Sequence, residues 1–537
     1  MHRVFISLAK HKYLVIFTLV YFALCFSLYK DFGATYDEKT EYDAGRYLKK
    51  YYQNSTKHTY VEDLVKFNPR RINNWQLPLF SHYSRVYPML VNLLNPNYFL
   101  EWFHVQNIFS GYFMFFFSYV LFYLVYSKSK FAILSSVLLF LTPLLIGHIP
   151  ANPKDIPFAT SMLLGVFGIY FFNSYLPSIK KSNSFLLLTE LLVLGILFGI
   201  SQSLRAVGLT LFIGYMIHGC ILSKSSKEVF FVLFKSVLVG LVSMVVWVLS
   251  VPFIGANVVA NLIDVFSGSY GFSQWNGYVL YLGDFLTKDH RPWHYLFVYL
   301  AIQLPITTLF GLLGGLVAVL FKKLRYDRNH PLIIILIIVL LNLLLYLTIS
   351  PVIYNGIRHF LYLITFITLL ASFFILDLII KFPKIKWVPF GILLYCGFTF
   401  YRLAILHPYE YTYYNEFIGG LKGAEGKFEL DYWGTAYRDA SYYVVEIAEK
   451  NDLKDLRVFA CDNHFAVDYY SNLRFKRVSA SKDSDIILCD TFKVRVRRKT
   501  GQKSYTSTHA LVKSIDREGV PLNFIYARPE FVRYFNP

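Results

Sequence analysis

The sequence predicts a polytopic α-helical membrane protein of about eleven spanning helices, followed by a small C-terminal α/β domain. Three observations carry that prediction. Of 537 residues, 55% are hydrophobic and only 16% charged, where soluble domains carry about 25% charged residues. The apolar residues gather in blocks such as 13–29, 106–126, 229–253 and 331–350, each long enough to cross about 30 Å of hydrocarbon as a helix. Lys and Arg then recur in alternate turns between the blocks. Helices follow because a lipid-exposed backbone must satisfy its own hydrogen bonds, and the short alternating segments of a membrane β-barrel are absent.

In order, the expected spans are 13–29, 104–126, 131–148, 156–176, 185–203, 205–222, 229–253, 296–321, 331–350, 359–380 and 387–406. With the N-terminus in the cytoplasm, the inner loops hold Lys128 and Lys130, Lys180 and Lys181, and Lys224 and Lys227. The last two hold Lys322, Lys323, Arg325 and Arg328, then Lys381, Lys384 and Lys386. Cations in every inner loop are what the positive-inside rule requires. The first span reads as an uncleaved anchor, being longer than the apolar core of a signal peptide. This topology makes 1–406 a transmembrane domain with outer loops 30–103 and 254–295. It also makes 407–537 an extracytoplasmic domain, with a helix over 437–450 and strands over 457–461, 475–480 and 485–490. The net charge of +19 sits in the inner turns and so implies no nucleic-acid partner. Cys25, Cys220 and Cys396 lie in or beside spans as packing residues. Cys461 and Cys489 end two strand-like runs, and either a disulfide or two free thiols suits them.

The unusual polar residues fall on the outer side. Asp37 and Glu38 follow the first span, where a carboxylate at the bilayer surface suits a general base; the alternative is a plain helix start with Asp37 as N-cap. The turn from His148 to Pro157 packs Asn152, Lys154 and Asp155 among three prolines, and there Asp155 can simply cap the fourth span. Lys154, Arg205 and Arg358, the last followed by His359, are lone outer cations against apolar flanks. Arg offers fixed donors and a permanent charge to a phosphate, whereas snorkelling to the interface is the competing explanation. Arg291 to Tyr295 reads as an aromatic belt. Beyond the last span, a Tyr-, Asn- and acid-rich stretch runs from His407 to Gly434; its Tyr409, Asn415, Asp431 and Trp433 suit sugar recognition or an interfacial structural segment. The Asn54 sequon is a weak pattern. No Walker loop, H-E-x-x-H, C-x-x-C pair or G-x-S-x-G elbow is present.

In order and sidedness, Asp37-Glu38, the Asn152-Pro153-Lys154-Asp155 turn, Arg205, Arg358-His359 and the HPYEYTYYNEFIGG…FELDYWG stretch together resemble the membrane-embedded GT-C glycosyltransferases. The likeness is to their protein O-mannosyltransferase-like branch, family 39 and its bacterial relatives, and it runs through residues 1–440. The resemblance implies a sugar transferred from a polyprenyl-phosphate donor to a protein, lipid or glycan acceptor outside the cytoplasm, by inverting displacement. It implies Asp37 as catalytic base. Arg358, Arg205, Lys154 and His359 then hold the donor phosphate, while Glu38 and Asp155 position groups or bind the acceptor. It leaves a divalent metal open, since some members need one and others do not; the loop cations favour none. Membrane lipids are expected around the spans, and the flavour of the 407–420 stretch points to a bacterial inner membrane. The main rival is a multi-pass lipid or solute transporter or flippase. Against it stand the absence of inverted repeats and the placement of ionisable residues at span ends on one face. A non-catalytic scaffold is the third reading.

Overall fold

The computed structural model describes residues 9–53, 83–94, 99–179, 183–270, 277–287, 290–385 and 387–535. The sequon at Asn54 and the loop cations Lys180, Lys181 and Lys386 lie outside them. Helices occupy every predicted span. Among the described residues, seven are long and apolar enough to cross a bilayer: Leu100–Tyr126, Asp155–Ser178, Ser184–Leu204, Ser226–Ser250, Pro331–Ile349, Arg358–Lys381 and Trp387–Leu406. Lys12–Leu28, Ser129–Phe140 and Ala206–Leu222 are shorter apolar helices.

Two predicted spans are not single rods, and proline is the reason each time. The 131–148 segment divides into Ser129–Phe140 and Pro143–His148, restarting where Pro143 has no N–H to offer the preceding turn. The 296–321 segment divides into Tyr295–Gln303 and Ile306–Leu320, which meet at 111°. Pro305 cannot donate to the carbonyl of Ala301, and the bend leaves neighbouring carbonyls without helical partners. Asn415 replaces those donors: its Nδ2 reaches the carbonyl oxygens of Ala301 at 2.8 Å and Leu304 at 2.9 Å, and its backbone N–H that of Ile302 at 2.8 Å. Asn415→Ala is therefore expected to cost about 2–3 kcal/mol of stability from two lost buried hydrogen bonds. Thermal unfolding in detergent reads that loss, and an unchanged midpoint would show that water re-satisfies the bend.

The Leu361–Lys381 helix is buried along most of its length and forms the centre of the bundle. Around it pack Asp155–Tyr170, Ser129–Phe140, Ile306–Leu320 and Pro331–Ile349. Two glycines dock the chain beyond the last span onto one end of the bundle. A Cβ on Gly147 would strike the backbone of Tyr411, and one on Gly33 the backbone of Thr435. Between them lies the amphipathic helix Tyr36–Gln53. Its start is closed by Glu38, whose Oε2 accepts from the Thr35 N–H at 2.7 Å and from the Thr35 hydroxyl at 3.2 Å, a capping-box arrangement. Asp37 thus sits in the first turn and is not the N-cap.

Beyond the spans, the helix Tyr437–Lys450 lies where the sequence predicts it. Among the described residues, the sheet it accompanies has five strands, in the order Lys476–Arg477, Arg457–Ala460, Ile486–Asp490, Val520–Ala527 and Ala510–Arg517; the 254–295 loop contributes a separate hairpin, β1 (Val279–Tyr281) and β2 (Asp284–Leu286). β3 (Arg457–Ala460), β4 (Lys476–Arg477) and β5 (Ile486–Asp490) match the predicted strands and pair in parallel. The hairpin of β6 (Ala510–Arg517) and β7 (Val520–Ala527) is new. Its turn has positive φ at Glu518 and Gly519, the geometry that Asn-Gly or Asp-Gly ordinarily announces; Glu518 hides the signal, and β6 is a mostly exposed edge strand. Cys461 and Cys489 are joined as a disulfide, which decides between the two alternatives the sequence leaves open.

Candidate active site

The site forms where three span ends and the Tyr36–Gln53 helix meet. In the turn before Asp155, the Asn152 side chain accepts from the N–H groups of Lys154 at 3.2 Å and Asp155 at 2.8 Å. That Asx-type turn starts the helix, so Asp155 does not act as its cap. Asn152 Nδ2 also donates to Asp155 Oδ2 at 3.1 Å, aiming the carboxylate at the arginines. Arg205 stands in extended conformation between Ser184–Leu204 and a short 3-10 turn and pairs with Asp155. Arg358 opens another 3-10 turn ahead of Leu361–Lys381. Its Nη1 donates to Asp37 Oδ2 at 2.7 Å and lies 3.4 Å from Asp155 Oδ2. The Arg358 guanidinium also lies 5.0 Å from the Trp433 ring and 5.5 Å from the Tyr354 ring, within cation–π range.

One helical turn beyond Asp37, Glu41 pairs with Arg85 and lies 3.8 Å from Lys154. Among the described residues, Arg85, Lys154, Arg205 and Arg358 thus face Asp37, Glu41 and Asp155. Burying such charges is costly unless each is paired, and the clustering of Lys154, Arg205 and Arg358 suits an anionic ligand. Burial pushes the Lys154 amine down to about 8, partly opposed by Glu41 and reinforced by Arg205 and Arg85. Asp37 differs from its partners: its side chain is 32% exposed, against 4% for Arg358 and 2% for Asp155.

Two cavities lie here. The first, of about 150 Å³, has Lys154, Arg205, His359 and Tyr83 at its polar end and Leu345, Ile349 and Phe360 on its apolar wall. That wall continues a helix whose Leu344 and Leu347 are exposed on the outside of the bundle. The second, of about 270 Å³, is lined by Tyr36, Tyr278, Tyr354, Tyr432 and Phe492 with Glu429, Asp431, Asp462, Asp490 and Lys493. Tyr354 lines both. Burial raises the Glu429 carboxyl to about 8, against the Gly356 N–H and Arg358, and the Asp490 carboxyl to about 7. Among the described residues, no group of three or more His, Cys, Asp or Glu is arranged to hold a metal ion.

Asp37, Lys154, Asp155, Arg205, Arg358 and His359 are therefore brought together. Glu38 points elsewhere: it is fully buried, with its Oε1 3.1 Å from His104 Nε2. Trp433 lies against Arg358. Asp431 lines the second cavity but accepts from the Tyr411 hydroxyl and from the N–H groups of Thr435 and Ala436 at 3.0 Å each. Two expected sugar-binding residues lie apart from both cavities. Tyr409 is buried with its hydroxyl donating to Asp439 at 2.6 Å, and Asn415 holds the helix bend; their polar atoms serve packing. Sequence reasoning missed Glu41, Arg85, Tyr83, Tyr354 and Glu429. Glu41, four residues after Asp37 and on the same helix face, was the one with a readable signal.

No family model matches the sequence, and no curated protein matches it. Solved structures do. The crystal structure of ArnT from Cupriavidus metallidurans bound to undecaprenyl phosphate aligns with a TM-score of 0.51 at 10% identity, covering 96% of this chain and 98% of that one. The apo structure of the same protein gives 0.52 at 10% identity, covering 98% and 99%. The alignment runs through membrane bundle and C-terminal region alike, and this chain has the GT-C fold that its sequence resemblance implies.

Proposed function

We propose that the chain is a glycosyltransferase moving a sugar from a polyprenyl-phosphate donor to an acceptor hydroxyl on the extracytoplasmic face of the membrane. One observation carries the reading. Asp37, the most exposed carboxylate of the cluster, is held by Arg358 beside a cation-lined cavity with an apolar wall, and Tyr354 lines both that cavity and an acidic, tyrosine-lined one. A lipid-linked phosphate and a polar acceptor need such a pair of environments. The undecaprenyl phosphate bound by ArnT supports a polyprenyl phosphate as carrier.

In this reading Asp37 takes the proton of the acceptor hydroxyl as its oxygen attacks the anomeric carbon. The bond from that carbon to the phosphate oxygen breaks, the electron pair leaves with the lipid phosphate, and the anomeric configuration inverts. Arg358, Arg205 and Lys154 face the charge that develops on the phosphate, with His359 beside them. Preorganised cations in a water-poor site act on that charge without reorganising. Asp155 holds both arginines in place, and Glu38 acts by fixing the start of the helix that carries Asp37. A protein O-mannosyltransferase-like specificity, a cytoplasmic N-terminus and a bacterial inner membrane complete the reading. The Cys461–Cys489 disulfide supports an oxidising compartment for the C-terminal region.

The reading carries a pH signature. Lys154 is charged below about pH 8 and neutral above it, so binding of undecaprenyl phosphate is expected to weaken as pH rises through that value. Glu41, Asp37, Arg205 and Arg85 all act on this amine, and Tyr83 lies under it at 4.5 Å. Lys154→Arg, which does not titrate there, is expected to flatten the profile. A titration of lipid affinity from pH 6.5 to 9.5 checks this; identical profiles for wild type and variant would remove Lys154 from the phosphate site.

A further inference from the structure

The second cavity is lined by carboxylates where the first is lined by cations. Five rings (Tyr36, Tyr278, Tyr354, Tyr432 and Phe492) stand around four carboxylates and one lysine. Lys493 is committed to Asp462 at 2.6 Å. Asp490 accepts from the Tyr437 hydroxyl at 3.1 Å and from the Lys493 N–H at 2.8 Å. Glu429 stands out. It is 3% exposed, its Oε2 accepts from the Gly356 N–H at 3.0 Å, and its other oxygen meets no donor among the described residues. A carboxyl oxygen without a donor, on a residue that lines a cavity, can take a hydroxyl partner from a ligand.

We propose that this cavity receives an uncharged glycosyl group and rejects anionic sugars. The proposal rests on the transferase reading and names the ligand class of the water-facing half of the same site. Ring faces stack on the C–H faces of a sugar, and carboxyl and hydroxyl groups exchange hydrogen bonds with its hydroxyls. A uronic acid brought beside Asp431, Asp462 and Asp490 meets like charge or forces protonation, both unfavourable. With burial raising Glu429 to about 8, its free oxygen can donate as well as accept near neutral pH. The glycosyl group can be the donor's own sugar or part of a glycan acceptor; the chemistry is shared.

The test uses the full chain in nanodiscs, with methyl α-mannoside and methyl β-glucuronide as probes read by saturation-transfer NMR. Wild type is expected to bind the mannoside and to bind the glucuronide at least about tenfold more weakly. Tyr278→Ala, at a partly exposed ring, is expected to weaken the mannoside about three- to tenfold. Asp490→Asn, which keeps an oxygen for the Lys493 N–H, is expected to narrow the gap between the probes. Undecaprenyl phosphate binding, measured in parallel, should stay within twofold in both variants and reports that they are folded. Equal binding of the two probes by wild type, or mannoside binding unaffected by Tyr278→Ala, overturns the proposal while leaving the transferase reading standing. Failure of wild type to bind undecaprenyl phosphate sinks that reading instead. Displacement of the mannoside by undecaprenyl-phosphoryl-mannose, but not by undecaprenyl phosphate, identifies the donor's sugar as the occupant; no displacement by either identifies the acceptor's.

Discussion

Asp37→Asn is expected to lower sugar transfer by about 10²–10⁴-fold, the usual contribution of a positioned general base. The substitution is nearly isosteric, and an amide oxygen still accepts from Arg358, which now lies 2.7 Å from the carboxylate. The fold should therefore survive. The loss should fall on kcat, with binding of undecaprenyl phosphate changed little, because Asp37 is not among the residues lining the first cavity. Asp37→Glu should recover part of the rate by supplying a base from a longer arm. If Asp37→Asn keeps wild-type turnover at wild-type abundance, another group removes the proton.

Arg358→Gln should lower turnover by about 10²–10³-fold, the loss typical of one preorganised donor facing a developing anion. Arg358 reaches Asp37, Asp155 and the ring of Trp433 together, so its removal also disturbs the base. Asp155 keeps Arg205 and Asn152 as partners, which limits the uncompensated charge left behind. Some stability loss is nonetheless expected, since breaking a buried pair costs about 3–5 kcal/mol. Arg358→Lys separates the two effects: it keeps the charge but not the planar fork that spans two carboxylates. Steady-state kinetics on both variants, beside thermal unfolding, should show Lys restoring more stability than rate. Equal recovery of both would mean that Arg358 acts through the fold alone.

Much of this site is legible in the sequence, because membrane proteins restrict where charge can go. Lys154, Arg205 and Arg358 stand out against apolar flanks, and a cation on the outer side needs a reason. Asp37 is legible as the carboxylate after the first span. What the sequence hides is partnership. Nothing in its order says that Arg358 reaches Asp37, 321 positions away, or that Glu38 turns inward to His104 while Glu41 turns toward Lys154. Tyr409 and Asn415 mislead for a related reason. Aromatic and amide side chains that suit sugar also suit a buried junction, and here the demand of Pro305 for replacement donors decides the matter for Asn415. The acidic cavity is the least legible part, since it joins Tyr36 and Tyr354 to Asp462, Asp490 and Lys493, residues of the C-terminal region that no motif announces.

The most direct test is to reconstitute the purified chain in proteoliposomes with a panel of radiolabelled polyprenyl-phosphate sugars and a membrane-extract acceptor pool. The expected result is label moving into an acceptor fraction with release of free polyprenyl phosphate, in wild type and not with Asp37→Asn. If no donor is consumed, and a polyprenyl-phosphate sugar instead crosses the bilayer intact in a protein-dependent way, the chain is a transporter and the account is wrong.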